Sequence, residues 1–213
     1  MPYLANSPYG RSKISAELAA LEYREKGLKI AIIRPCMVYG EDEPHALGLV
    51  LKLASKRLLP LPDIPQADGR LHMAYVGNVA QLMEEALYND RALEGTYIVA
   101  DAEYTTTRNF FKSIYSGLGL GEPPVIPRWI MKLALSFPPA RKKVNKLFKD
   151  RVYDISRAQA ILGYAPEVSL EEALRRTIEH WKQSGRPGRM GFWLEPHPGG
   201  VRGGDLRRAA LEE

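Results

Sequence analysis

The chain has 213 residues, 45% of them hydrophobic, enough for one medium domain or a domain with a small appendage. Its net charge of +5 is concentrated: residues 140–151 hold Arg141, Lys142, Lys143, Lys146, Lys149 and Arg151 against Asp150 alone. A nucleic-acid protein with a broad basic face would draw cations from several elements, which argues against that class. No apolar run approaches the roughly 20 residues that span a bilayer, and the N-terminus lacks a secretory pattern, so a cytoplasmic protein is expected.

In chain order, Tyr9 to Lys26 places Ile14, Leu18 and Leu21 at helical spacing, and Gly27 ends the run. Leu28 to Ile33 is a short β-branched run stopped by Arg34-Pro35, which predicts a buried strand of a parallel sheet. Cys36 is the only cysteine; it excludes an internal disulfide and reads as a small buried apolar residue rather than a reactive thiol. Ala46 to Leu58 predicts a helix, and Leu59 to Gly69 a proline-rich loop. Leu71 to Val76 predicts a strand, with Asn78 as the N-cap of a helix through Tyr88. Gly95 to Ala100 predicts another strand, after which Thr105 or Thr106 caps a helix to Gly117. Such alternation indicates an α/β fold with a mostly parallel sheet.

From Pro123 the pattern is mainly helical. Arg128 to Phe137 carries a dense apolar stripe, Pro138-Pro139 breaks it, and a basic helix follows. Ser156 opens a short helix ending at Gly163, and Ser169-Leu170-Glu171-Glu172 is a capping-box pattern for a last helix through Gln183. Residues 185–213 hold seven of the eighteen glycines among prolines and arginines, and read as a flexible tail. His45, His72, His180 and His197 show no metal-ligand spacing, so no metal is expected.

Ser7-Pro8-Tyr9-Gly10-Arg11-Ser12-Lys13 sets a tyrosine and a lysine four residues apart near a helix start. Residues i and i+4 share a helix face, so Lys13 can sit beside the Tyr9 phenol. A phenol is a poor base at neutral pH, and a neighbouring ammonium favours its charged form, which suits the pair to proton transfer. The spacing alone is a weak signal; its context carries more.

That context is Glu17 in the same helix, then Ile33-Arg34-Pro35-Cys36-Met37-Val38-Tyr39-Gly40-Glu41, Ala74-Tyr75-Val76-Gly77-Asn78-Val79-Ala80, the strand near Tyr97, and Tyr153-Asp154-Ile155-Ser156-Arg157-Ala158 with Leu162-Gly163-Tyr164-Ala165-Pro166. In this order the patterns resemble the second half of an extended short-chain dehydrogenase/reductase, of the epimerase/dehydratase superfamily, over residues 3 to about 184. The resemblance implies the C-terminal part of a Rossmann-like parallel sheet plus a smaller, mainly helical substrate-binding lobe. Residues 1–40 would be the remnant of the dinucleotide-binding domain, and 41–184 the substrate lobe, with strands near 71–76 and 95–100 returning to the sheet. It assigns Tyr9 as acid/base and Lys13 as its electrostatic partner and a donor to the nicotinamide ribose of NAD or NADP. It sets Pro35, Cys36, Met37 and Val38 against the nicotinamide ring, and it suggests a homodimer through the long helices.

The family's glycine-rich strand-turn-helix, and the Ser or Thr that completes the catalytic group, would lie upstream of Met1. This chain is therefore expected to resemble a C-terminal portion, inactive alone, whose missing half is supplied in cis or in trans. The competing expectation is a non-catalytic remnant that keeps the substrate lobe as a binding module.

Two branches of the family compete. Sugar-nucleotide epimerases and dehydratases carry Asn before the Tyr-Gly pair and Arg-Asp before the later strand; here those places hold Met37 and Leu71-His72. Arg70 and His72 are left as candidate substrate contacts. The patterns around Tyr39 and Tyr75 look like the 3β-hydroxysteroid and sterol dehydrogenase branch, which takes bulky apolar alcohols or ketones, and this branch is favoured. Trp129, Ile130, Leu133, Ala134 and Phe137, followed by lysines, could rest on an anionic membrane. The preferred reading is a helix packed on its own core followed by a solvated basic helix.

Overall fold

A computed structural model describes residues 7–43 and 46–184. Its strands are β1 (Ile32–Pro35), β2 (Met37–Tyr39), β3 (Leu61–Pro62), β4 (Arg70–Leu71), β5 (Met73–Tyr75), β6 (Thr96–Val99), β7 (Thr105–Thr106) and β8 (Val125–Ile126). Its helices are α1 (Pro8–Glu25), α2 (Ala46–Ser55), α3 (Val76–Leu87), α4 (Thr107–Gly117), α5 (Arg128–Ser136), α6 (Pro138–Leu147), α7 (Ser156–Leu162) and α8 (Leu170–Ser184). Short 3₁₀ turns occupy 65–68 and 90–94. The glycine-rich 185–213 segment, His45 and His197 lie outside the described residues.

The sheet is built from pairs. β1 runs parallel to β6, β2 to β5 and β3 to β8, while β4 and β7 are antiparallel. The first two pairs meet at the end of β6: the Cys36 N–H donates to Val99 O at 3.1 Å, and the Asp101 N–H donates to Met73 O at 2.8 Å. The mixed α/β architecture with parallel pairing is the one expected from the strand-helix alternation.

Helix α1 starts where its sequence dictates. Ser7 is extended, its hydroxyl accepts from the Gly10 N–H at 3.0 Å, and Pro8 fills the first helical position, where no N–H is needed. The stripe turned toward the chain is Ile14, Glu17, Leu21 and Arg24, half-buried, whereas Leu18, expected on that face, is exposed. The stripe admits charged residues because their partners are fixed: Arg24 Nη2 donates to Ile30 O at 2.7 Å and to Gly95 O at 3.1 Å.

The strand expected over Leu28–Ile33 is displaced to Ile32–Pro35 and is half-buried. Ile33 packs on an apolar cluster that includes Leu82, Tyr97, Val99, Ala158 and Tyr164, while Arg34, on the opposite side of the pleat, meets α1. Helix α3 opens at Val76, with Tyr75 at the cap position and no side-chain cap, so Asn78 is not its N-cap. Asn78 is buried in the first turn, and its amide donates to Asp101 Oδ1 at 2.8 Å and to Val168 O at 2.9 Å. It also accepts from the Val168 N–H at 3.1 Å.

Two more clusters complete the core. Tyr39, Leu51, Tyr75, Phe110, Ile114, Tyr115, Leu174 and Ile178 pack α2, α4 and α8 on β2 and β5. Leu61, Ile64, Ala67, Met131 and Phe148 seat α5 and α6. There α5 uses Met131 and Leu135 as its inward residues, so the stripe expected to pack (Trp129, Ile130, Leu133, Ala134, Phe137) faces outward instead.

Asp101, buried just after β6, joins these parts. Its carboxylate accepts from Tyr39 Oη at 2.9 Å, from the Tyr75 N–H at 2.8 Å and from Asn78 Nδ2. Loss of hydration raises its pKa above the ordinary carboxylate value, against those three donors. The folded chain thus holds the Asp101 proton to higher pH than the unfolded chain, whose carboxyl titrates near ~3.9. The group's contribution is fully present below that pH and is lost as pH rises through its raised folded value. Asp101→Asn, which keeps the shape without the charge, should gain stability relative to wild type as pH rises from 4 to 8 in thermal denaturation. Asp101→Ala leaves buried donors unmet and should cost about 3 kcal/mol. Parallel pH profiles for wild type and Asp101→Asn would contradict this account.

Candidate functional site

Tyr9 and Lys13 lie on successive turns of α1, and Lys13 Nζ stands 5.5 Å from the centre of the phenol ring. Tyr9 is 72% exposed, so its hydroxyl is open to a ligand. It is the second residue of the helix, in the turn capped by Ser7.

The rest of α1 fixes that pair in space. Arg34 donates from Nε to Glu17 Oε2 at 3.0 Å and from Nη2 to Glu17 Oε1, a two-pronged, partly buried ion pair. Glu17 is one turn beyond Lys13, and Arg34 immediately precedes Pro35. One ion pair therefore ties the helix of Tyr9 and Lys13 to the strand leading into Pro35, Cys36, Met37 and Val38.

Within that segment Pro35, Met37 and Val38 are exposed, while Tyr39 and Gly40 are buried. Cys36 is half-buried, and burial, aided by the Asp101 charge, pushes its thiol up to about 12, which makes it inert. Gly40 is required: an added Cβ would collide with the Val76 side chain. Glu41 follows and accepts from Tyr75 Oη at 2.9 Å.

Arg70 and His72 are placed differently. Arg70 is exposed and held by Asp150, which accepts from its Nη2 at 2.6 Å, from its Nε at 3.1 Å and from its backbone N–H at 2.6 Å. That contact keeps the Asp150 carboxyl below the usual carboxylate range. His72 is buried: Nδ1 accepts from the Tyr153 N–H at 3.1 Å, so Nε2 carries the proton and donates to Asp101 O at 2.8 Å. Both ring nitrogens are thus engaged within the chain.

Among the described residues no group of three or more His, Cys, Asp or Glu could hold a metal ion, and no helix is long and apolar enough to cross a membrane. A groove of about 940 Å³ runs between α4 and α8, lined by Lys112, Ser116, Gly117, Glu171, Leu174 and Ile178; none of the candidate residues lines it. The sequence reading missed Asp101 and the buried Tyr39 hydroxyl. Tyr39 lay inside a recognised pattern, but nothing local marks an aspartate after a strand as buried.

The model of the NAD dependent epimerase/dehydratase family matches residues 1–100. Among curated proteins, the UDP-glucose 4-epimerase of Vibrio cholerae is 25% identical over 181 residues, covering 83% of this chain and 54% of that protein. The sterol-4-alpha-carboxylate 3-dehydrogenase, decarboxylating, of Mus musculus is 25% identical over 196 residues, covering 80% and 53%. The chain thus spans about half the length of the curated relatives it matches. Among solved structures, the Bordetella bronchiseptica enzyme WbmF, in complex with NAD+ and UDP, superposes with a TM-score of 0.67 at 21% identity, over 91% of this chain and 59% of that one. The chain is similar to this family in sequence and shares its fold.

Two measurements check the site's mechanics. Glu17→Gln should loosen α1 and cost about 2 kcal/mol, read as faster hydrogen exchange in α1 with β2 and β5 unaffected; unchanged exchange would remove the anchoring role. Iodoacetamide should label Cys36 slowly at pH 8 in the folded chain and readily in urea, and equal rates would show that the thiol is not suppressed by burial.

Proposed function

We propose, from the chain's likeness to the NAD-dependent epimerase/dehydratase family, that Tyr9 and Lys13 are the proton-transfer pair of an oxidoreductase acting on a secondary alcohol or ketone. The observation that carries the reading is the α1 geometry: an open phenol beside an ammonium, on a helix tied by Glu17 and Arg34 to the Pro35–Val38 segment.

The residues fit the nicotinamide end of NAD or NADP. The Pro35–Val38 segment would lie against the flat ring largely through its backbone, and Lys13 offers donors for a ribose hydroxyl. When bound, the nicotinamide supplies the hydride acceptor or donor. The Tyr9 oxygen exchanges a proton with the substrate oxygen, and Lys13 stabilises the charge that develops on the phenol. In this reading residues 1–40 belong to the dinucleotide side and 41–184 to the substrate lobe. The half that cradles the dinucleotide is supplied in the same polypeptide or by another, and a second copy of the chain completes a homodimer.

A bulky apolar, sterol-like substrate is favoured, because the two candidate donors for a diphosphate are engaged: Arg70 by Asp150, and His72 by Asp101 and Tyr153. The second reading, a nucleotide-sugar epimerase or dehydratase, is supported by the relative in Vibrio cholerae.

The test joins or mixes this chain with a dinucleotide-binding half and follows NAD(P)-linked turnover of a 3β-hydroxysterol and of a UDP-sugar. Tyr9→Phe should lower kcat by about 10²–10⁴ without loss of fold, and Lys13→Met by a similar factor. The branch is decided by which substrate has the higher kcat/KM. Full turnover by Tyr9→Phe would overturn the assignment, and no turnover of either substrate would leave the binding-module reading. The chain by itself should bind NAD(P) weakly or not at all, and micromolar binding by titration would contradict this.

A further inference from the structure

Helix α5 has two apolar faces, and the fold buries one. Met131, 7% exposed, and Leu135 sit on the cluster of Leu61, Ile64, Ala67 and Phe148. On the opposite face Trp129 is 70% and Leu133 71% exposed, one turn apart, with Ile130 beside them, and Phe137, the residue that ends the helix, is 64% exposed. An ordinary surface helix turns charged and polar residues to that side. The polar residues of α5 are Arg128, Lys132 and Ser136, so its charge is wholly positive.

Helix α6 continues the pattern. It is seated on the same cluster through Val144, and Arg141, Lys142 and Lys143 are exposed. Residues 128–151 contain eight basic residues and one acidic one, in a chain whose total is only +5. The single acid of that stretch, Asp150, is held by Arg70, and Asp63 meets Arg128 at 3.6 Å, so the exposed cations of the rim are Lys132, Arg141, Lys142 and Lys143. Because both helices rest on one cluster, their remaining faces turn away from it together. The surface so formed is an apolar ridge with an aromatic at each end and a rim of cations.

We infer that the α5–α6 hairpin docks on the surface of an anionic lipid bilayer, with Trp129, Leu133 and Phe137 entering the headgroup–acyl boundary and Lys142 and Lys143 meeting lipid phosphates. The complement of this surface must be apolar in depth and negative at its edge, which a bilayer containing acidic lipids provides. Tryptophan is favoured at such boundaries. The nine residues of α5 span about 13 Å, so the helix lies on the membrane rather than across it. Neither helix contributes to the Tyr9–Lys13 pair, and the inference stands without the proposed chemistry.

The test uses the full chain with phosphatidylcholine vesicles, with and without phosphatidylserine, read by co-sedimentation and tryptophan emission. Wild type should sediment with the acidic vesicles at low salt, show a blue shift that Trp129→Phe abolishes, and ignore neutral vesicles. Trp129→Ser with Leu133→Ser should weaken binding at least tenfold while circular dichroism is unchanged, since both side chains are outside the core. Lys142→Ala with Lys143→Ala should weaken it about thirtyfold. Absence of sedimentation with acidic vesicles overturns the inference, and so does wild-type binding by the Trp129→Ser, Leu133→Ser variant, which would assign attachment to another basic segment. Equal binding to soluble polyglutamate without a blue shift also overturns it, in favour of an acidic protein partner.

Discussion

A carboxylate taken out of water must be met by donors, and the position of Asp101 obliges three separate elements to supply them. The Tyr39 hydroxyl comes from β2, the Tyr75 N–H from the end of β5, and the Asn78 amide from the first turn of α3. Its backbone carbonyl meanwhile accepts a hydrogen bond from His72 Nε2, and its own N–H donates to Met73 O. Asn78 passes the constraint on by pairing both ends of its amide with the backbone of Val168, just before α8. Each donor costs little to provide, but leaving any one unmet in the interior is expensive. The register of β2 against β5, the start of α3 and the approach to α8 are therefore set together.

This constraint reaches the candidate site through Tyr39. The segment Pro35–Val38 is pinned beyond its far end by the Tyr39–Asp101 bond and before its near end by Arg34, which is held by Glu17. Between those two pins the side chains of Pro35, Met37 and Val38 are left exposed. In the proposed function this stretch, uncovered yet fixed at both ends, is where a flat apolar ring would be received, with little ordering entropy left to lose on binding. Gly40 belongs to the same device: with no side chain, it lets Val76 close over the turn after β2.

What the sequence disclosed followed physical locality. Capping at Thr106 and Ser169 and the helix stop at Gly163 were legible, because each depends on residues within one turn. The Tyr9–Lys13 adjacency was legible for the same reason. Asn78 was misread because an asparagine before an apolar run has two uses, a cap or a buried amide, and only Asp101, 23 residues on, decides between them. Leu18 was misplaced because Arg24 and Glu17, with partners far along the chain, rotated the inward stripe of α1. The burial of His72 and the engagement of Arg70 by Asp150, 80 residues away, were illegible on the same ground. Helix α5 was ambiguous in principle: periodicity identifies apolar faces, and a helix with two of them does not say which is buried.

The engaged state of Arg70 and His72 bears on substrate class through number rather than strength. The Arg70–Asp150 pair is exposed, and an exposed ion pair is readily exchanged for another anion. Its presence alone would not deter a diphosphate. A diphosphate held tightly, however, needs several charge-assisted donors converging on it, and His72 cannot become the second, because freeing its Nε2 would strand Asp101 O in the interior, and turning the ring away would also leave the Tyr153 N–H without its Nδ1 acceptor. An apolar alcohol makes no such demand, since its binding free energy comes from burial and needs only one polar contact at the reacting oxygen. In the proposed reading with a sterol-like substrate, the outward Trp129, Leu133 and Phe137 among cations would bring the chain to the bilayer in which such a substrate dissolves.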